Sequence, residues 1–315
     1  MKKKVIIDCD VGVDDALALI LAFHSAELEV KAITAVNGNV PLEKVFINIQ
    51  KVLSLIRPQQ RPIIAQGADH PLRGEPHYSH WVHGEDGLGE AKIFQKEGEE
   101  WWQIFPGRAD ELITQMARQS AGEITLIAIG PLTNLASGLQ KDPEAMRQLK
   151  DVVVMGGAVR VPGNVTPYAE FNIHADPLAA KMVFESGLPI TLVPLDVTHQ
   201  VFLSLRLIEA RVKPLHNPFS QFVVEATGYN SQDGKFRAGA QAFHLHDPLA
   251  VGAVIDPHLV RKERLWISVE AQEGDRYGQT SEYAGEGAPD GSKLEVCLGV
   301  KSEKFLEFFL SRLRP

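Results

Sequence analysis

Cysteine is scarce in this chain. Cys9 and Cys297 are its only two among 315 residues and stand far apart, so no disulfide framework is encoded and the sequence reads as that of a protein from a reducing compartment. Long apolar runs are missing too. None approaches the ~18 residues of a membrane-spanning helix, and the opening MKKKVIIDCDV reaches acidic residues before a secretory hydrophobic stretch could form. The expected location is cytoplasmic, with no membrane partner. Positive charge is in deficit: 32 Lys and Arg stand against 40 Asp and Glu, a formal charge of −8 spread without blocks. A nucleic acid or an anionic membrane would need a basic face, so both are excluded and small neutral or cationic ligands are left. There is no internal repeat or low-complexity tract.

What is present is 44% apolar residues over 315 positions, enough for a sizeable core. The expectation is a single soluble domain over residues 1–315. Strand and helix signals alternate. KVIIDC (4–9) and VKAITAV (30–36) read as strands, as do EITLIAIG (123–130), DVVVMGG (151–157) and LPITLVPLD (188–196), each a short β-branched run bounded by turn residues. DDALALILAFHS (14–25) has helical apolar spacing, Pro41 opens a second helix, and ADPLAAKMVFESG carries a cap at Asp176, Pro177 in its first turn and a stop at Gly187. This alternation predicts an α/β fold with an open, mostly parallel sheet and helices on both faces. Residues 66–107 and 157–174 are long and polar, as functional loops are. Polar candidates fall at the strand ends, where such sheets bind ligands: Asp8, Asp10, Asn37, Asn39, Gly130 to Asn134, and Asn164 to Asn172.

The first strand runs straight into four aspartates, Asp8, Asp10, Asp14 and Asp15. Capping of the following helix accounts for Asp14 and Asp15 without any ligand. It leaves Asp8 and Asp10 unexplained. Carboxylates gathered at one strand end repel one another unless a cation neutralises them, and oxygen donors without cysteine suit Ca²⁺ or Mg²⁺ better than zinc. An Asp-x-Asp after a first strand also fits a Mg²⁺-dependent aspartyl phosphatase, with the first Asp as nucleophile. A non-catalytic nucleoside-binding protein is a third reading.

The rest of the chain separates these. DCDVGVDDALAL, NGNVPLEK, HGEDGLGE, IGPLTNLA, MGGAV, GNVTPYAEFNIHADP and HDPLAV occur in the order, and at about the spacing, seen in the inosine-uridine preferring nucleoside hydrolase family, which the chain resembles over residues 5–257. The ending KLEVCLGVKSEKFLEFFLSRL is similar to that family's closing strand and helix. The resemblance implies Ca²⁺-dependent hydrolysis of purine or pyrimidine ribonucleosides, or of another N-riboside, to ribose and free base. By matching positions, Asp10, Asp15, the Ile129 carbonyl and Asp247 would hold Ca²⁺. Asp14 and Asn172 would hold the ribose 2′- and 3′-hydroxyls, and Asn164 and Glu170 the 5′-hydroxyl. Asn39 matches an active-site amide and Met155 a side chain lying along the sugar. Homodimers or homotetramers are expected on the same basis.

The chemistry fits those roles. Cleaving an N-glycosidic bond puts oxocarbenium character on the ribose and negative charge on the departing base. Calcium is a weaker Lewis acid than zinc, so a carboxylate must accept the proton of the attacking water, and the resemblance assigns this to Asp10. It assigns protonation of the leaving base to His246, which precedes Asp247, and a nucleobase-facing role to His83. The spacing of His77, His80 and His83 could suggest zinc, but the Pro, Gly and Ser around them disfavour a regular helix, and His83 alone is expected to function. Three positions depart from the family pattern: Val11 replaces a usual Pro, Asn37 a small or apolar residue, and the stretch before His246 lacks a clear base-facing Tyr. Trp101 and Trp102 read as packing or lid residues.

Overall fold

Residues with apolar side chains on both faces place Lys3–Cys9 (β1) at the middle of a ten-stranded sheet. The computed structural model describes residues 2–92, 100–228, 242–283 and 293–314. The strands after β1 are Leu28–Ala35 (β2), Ile63–Gln66 (β3), Gln103–Arg108 (β4), Ile124–Ala128 (β5), Asp151–Met155 (β6) and Ile190–Val193 (β7). They are followed by Phe202–Ser204 (β8), Ala242–His244 (β9), Val260–Val269 (β10), Thr280–Glu282 (β11) and Lys293–Val300 (β12). Sheet order is β11-β10-β12-β7-β6-β5-β1-β2-β3-β4, and β8 pairs separately with β9. From β12 across to β4 every pairing is parallel; β10 and β11 add an antiparallel edge.

Alternation along β1 sends its side chains into two cores. Val5, Ile7 and Cys9 join one with helices Val13–Phe23, Leu42–Ile56, His246–Ile255 and Ser302–Arg312, while Ile6 joins the other with helices Ala109–Gln119, Thr133–Lys141 and Pro177–Phe184. Each large side chain fully buried in this way, such as Leu17 or Phe184, stabilises the fold by about 1.5–3 kcal/mol. The expected helices on both faces are present, and so are Pro41 before the second helix and the Asp176 cap, which accepts from the Ala179 amide at 3.0 Å. Strands β4, β10 and β11 lacked a clear sequence signal; Gln103–Arg108 contains Pro106 and lies at the sheet edge, where a missing N–H is tolerated.

Strand order positions the site. The chain steps from β1 outward through β2, β3 and β4, then returns to the other side of β1 for β5, β6 and β7. Adjacent connections therefore diverge between β1 and β5 and leave a crevice at their carboxyl ends.

A buried polar tie closes the underside of that crevice. Asp8 Oδ1 accepts from the Thr34 hydroxyl at 2.5 Å and from Asn134 Nδ2 at 2.8 Å. Asn134 also donates to the Ala35 carbonyl at 3.0 Å and accepts from the Ala68 amide at 2.8 Å. One fully buried amide thus joins β1, β2, the segment after β3 and the helix after β5. Replacing it leaves several buried polar groups unpaired, so Asn134→Ala should lower unfolding stability by about 2–4 kcal/mol in chemical denaturation. An unchanged denaturation midpoint would show that this tie contributes nothing.

Candidate active site

The segment after β1 curls onto itself. Asp15, in the first turn of helix Val13–Phe23, accepts from the Gly12 amide at 2.8 Å and the Asp10 amide at 3.3 Å. Asn39, just beyond β2, donates its own amide to Asp10 Oδ2 at 2.7 Å and its Nδ2 to Asp15 Oδ2 at 3.2 Å. The Ser79 hydroxyl donates to Asn39 Oδ1 at 2.5 Å, which fixes the amide's orientation. Gly38 and Gly130 make room for Asp10, since a Cβ on either would stand 2.1 and 2.9 Å from its carboxylate oxygens. Val11, in place of proline, is held through its carbonyl by Asn48 Nδ2 at 3.2 Å.

Asp247 arrives from the far end of the sequence, in the first turn of helix His246–Ile255. Oxygens of Asp14, Asp15 and Asp247 all lie within 4.8 Å of one another. Asp10 adjoins this trio through Asp15, and its Oδ1 is buried without a hydrogen-bond partner among the described residues. Burial first, then the neighbouring aspartates, push Asp10 and Asp247 well above the usual carboxylate range and Asp14 up to about 8. Asp15 is raised by burial only to about 6, because backbone and side-chain hydrogen bonds favour its charged form. The N-termini of two helices offset part of the negative charge. Oxygen-only donors, an unpartnered carboxylate oxygen and a cradle kept open by two glycines suit a hard divalent cation such as Ca²⁺ or Mg²⁺.

Above the carboxylates is a cavity of about 290 Å³ with no Lys or Arg among the described residues that line it. It brings together Asp14, Asn39, His83, Ile129, Met155, Asn164, Glu170, Asn172, His246 and Asp247 from the sequence reading, while Asp10 and Asp15 lie fully buried beneath it. Asn172 Nδ2 donates to the Ile129 carbonyl at 2.9 Å and the Met155 carbonyl at 3.2 Å, linking the ends of β5 and β6. Glu170 caps helix Phe171–Ala175 and accepts from the amides of Asn172 at 2.9 Å, Ile173 at 3.2 Å and Gly157 at 2.9 Å. Burial still raises its pKa. Asn164 Oδ1 accepts from the Phe171 amide at 3.0 Å.

The histidines divide by partner. A regular helix is disfavoured around His77 and His83 by sequence, yet His80–His83 forms one α-turn, ended by Gly84 at φ +76°. A single turn fits between the glycines because it needs only four residues. The Val13 amide donates to His83 Nδ1 at 3.0 Å, so His83 carries its proton on Nε2 when neutral. His77 packs on His174 instead, with centroids 5.5 Å apart, and His80 Nδ1 lies 3.3 Å from the Gly84 carbonyl. Among the described residues the three form no metal-holding group. His246 Nδ1 is 2.7 Å from the Thr198 hydroxyl, with the rings of His244 and His199 at 5.4 and 5.7 Å. Burial, then these neighbouring histidines and His83, hold its pKa well below the ordinary value.

Sequence reasoning missed Ser79, Trp81, His199, Phe243 and His244 on the cavity wall. A signal for one was available: His-Leu-His at 244–246 is a histidine pair two residues apart at a strand end. Trp102 is buried in the core with Trp101 packed beside it, and neither lines the cavity. Asn37 is buried with Oδ1 unpartnered among the described residues. The expectation about a base-facing Tyr falls mainly on residues 229–241, outside the described residues. Asp8, the nucleophile in the phosphatase reading, pairs with Thr34 and Asn134 and does not line the cavity.

Fold and site together define an open α/β enzyme with a concave acidic centre at the switch point of its sheet. Residues 5–307 match the family described as inosine-uridine preferring nucleoside hydrolase, and the chain belongs to that family. Among curated relatives, it is 37% identical over 317 residues to the pyrimidine-specific ribonucleoside hydrolase RihA of Salmonella gallinarum, covering 100% of this chain and 99% of the relative. Among solved structures, the plant nucleoside hydrolase PpNRh1 superposes with a TM-score of 0.88 at 30% identity, over 99% of both chains. A purine-preferring ribonucleoside hydrolase from Gardnerella vaginalis gives 0.86 at 29%, over 99% of this chain and 98% of the other. The protein is a nucleoside hydrolase.

The raised carboxyl pKa values have a stability consequence. Folded protein without a divalent cation holds protons that the unfolded chain has released, so its stability must fall as pH rises from 3.8, the ordinary carboxylate value, through about 6 for Asp15 and about 8 for Asp14. Thermal melts of chelator-treated protein should show that decline. Added Ca²⁺ should reverse it at the alkaline end, by about 2.7 kcal/mol when the ion is at 100 times its Kd. A flat pH profile with no response to the ion would contradict the assigned electrostatics.

Proposed function

We propose that the protein hydrolyses the N-glycosidic bond of purine or pyrimidine ribonucleosides, or of both, in a Ca²⁺-dependent reaction, with Asp10 as general base and His246 as general acid. The observation that carries this reading is one cavity with buried carboxylates at its floor and His246 in its wall. A Ca²⁺ held by Asp10, Asp15, Asp247 and the Ile129 carbonyl would neutralise the floor and polarise water and ribose hydroxyls. Asp10 takes a proton from the attacking water as its oxygen bonds to C1′. The C1′–N bond breaks, its electron pair leaves on the base, and His246 supplies the proton that neutralises it. Atoms balance as ribose plus free base.

Asn172 and Asp14 orient the ribose 2′- and 3′-hydroxyls, and Asn164 and Glu170 the 5′-hydroxyl. Asn39 steadies Asp10 and Asp15 through the two bonds already described. Met155 lies along the sugar. His83, with Nδ1 occupied by the Val13 amide, offers an Nε2–H to the nucleobase. Holding the sugar rigidly against the water removes much of the entropic cost of attack.

A panel of ribonucleosides and 2′-deoxyribonucleosides, with released sugar measured, tests the activity and ranks the bases. Deoxy substrates would leave buried polar groups unpaired, so discrimination against them should reach about 10⁴-fold or more. Comparable efficiency on both would mean that Asp14 and Asn172 do not read the sugar.

Leaving-group chemistry separates the two catalytic groups. His246→Ala should slow inosine and uridine cleavage by about 10² to 10⁴-fold, yet leave p-nitrophenyl riboside turnover near normal, because that leaving group departs without a proton. Equal losses on both substrates would assign His246 to the fold or the floor of the site.

A further inference from the structure

We infer that Thr198 is a positioning residue for His246, selecting Nε2 as the nitrogen that faces the leaving base. The inference rests on the general-acid reading of His246. Thr198 ends the turn Leu195–Thr198 that follows β7, is fully buried, and places Oγ1 2.7 Å from His246 Nδ1. Thr227 and Thr114 spend their hydroxyls on their own helices, donating to the Val223 carbonyl at 2.8 Å and the Asp110 carbonyl at 2.9 Å. Thr198 instead turns its hydroxyl toward a side chain 48 residues away.

The rings of His244 and His199 flank His246, His244 at an interplanar angle of 28°. Flanking rings restrict the tilt of an imidazole but do not distinguish its two edges, so packing alone permits a flip about the Cβ–Cγ bond. A hydrogen bond at Nδ1 removes that ambiguity. A hydroxyl suits the task because it both donates and accepts. It accepts Nδ1–H in the doubly protonated ring that acts as the acid. When Nε2–H passes its proton to the base nitrogen, the N–H electron pair stays on Nε2, and Nδ1–H remains donated to Thr198. The anchor therefore survives each turnover. The base of the arrangement is also fixed, since the Leu245 amide donates to the Val201 carbonyl at 2.9 Å, tying the two segments next to the pair.

Thr198→Val is nearly isosteric and removes only the hydroxyl; Thr198→Ser restores it. With steady-state kinetics on uridine, inosine and p-nitrophenyl riboside, Thr198→Val should lose about 10- to 100-fold in kcat on the nucleosides, as a misplaced catalytic group does. KM should change little, p-nitrophenyl riboside turnover should stay near wild type, and Thr198→Ser should recover most of the loss. Thr198→Ala replaces the valine variant if valine lowers the melting temperature. Equal losses on all substrates, or no loss in a variant that melts like wild type, would overturn the inference. His246→Ala run in parallel separates the two readings. If that variant is leaving-group dependent and Thr198→Val is not, only the role of Thr198 falls; if neither is, the general-acid reading falls and takes this one with it.

Discussion

Carboxylate repulsion in a corner that water barely reaches is the constraint on which the rest of the site depends. Asp10, Asp14, Asp15 and Asp247 are all less than a tenth exposed, and among the described residues no lysine or arginine lines the cavity above them. Buried like charges destabilise a fold unless protons or a cation compensate them. Much of the local architecture reads as a response. Two helix N-termini converge on the cluster, backbone amides of Asp10 and Gly12 are spent on Asp15, and glycines at 38 and 130 leave the Asp10 carboxylate unobstructed.

The same residue type is used differently two residues away. Asp8 is as buried as Asp10, but its Oδ1 is matched by Thr34 and Asn134, and it holds the sheet to the following segment. Asp10, by contrast, adjoins the Asp14, Asp15 and Asp247 group through Asp15. The family match, with Asp8 Oδ1 held in the polar tie, sets the phosphatase reading aside.

Chemically complementary groups come from opposite parts of the chain. The floor is contributed mainly by the loop after β1, the wall of Asn164, Glu170 and Asn172 by the segment after β6, and the histidine wall by the turn after β7 and the β9 to helix junction. A parallel sheet makes this possible, since it gathers the carboxyl ends of many strands along one rim. Relatives named for pyrimidine and for purine substrates share nearly the whole length of this fold.

The sequence alone determined the α/β alternation, the helix starts at Pro41 and Asp176, the family, and the acidic motif, because these follow from local periodicity, turn residues and short contiguous patterns. It also named Glu170 and Asn172, whose neighbours in the chain carry the motif. It could not show that Asp8 faces a structural amide from residue 134, that Asp10 and Asp15 sit beneath the cavity while Asp14 and Asp247 line it, or that a one-turn helix aims His83 inward. Nor could it join Thr198 to His246. Each of those depends on contacts between segments remote in sequence, whose directions are set only when strand order and packing bring them together; a residue's identity states what it can bond, and the tertiary structure decides which partner lies within 3 Å.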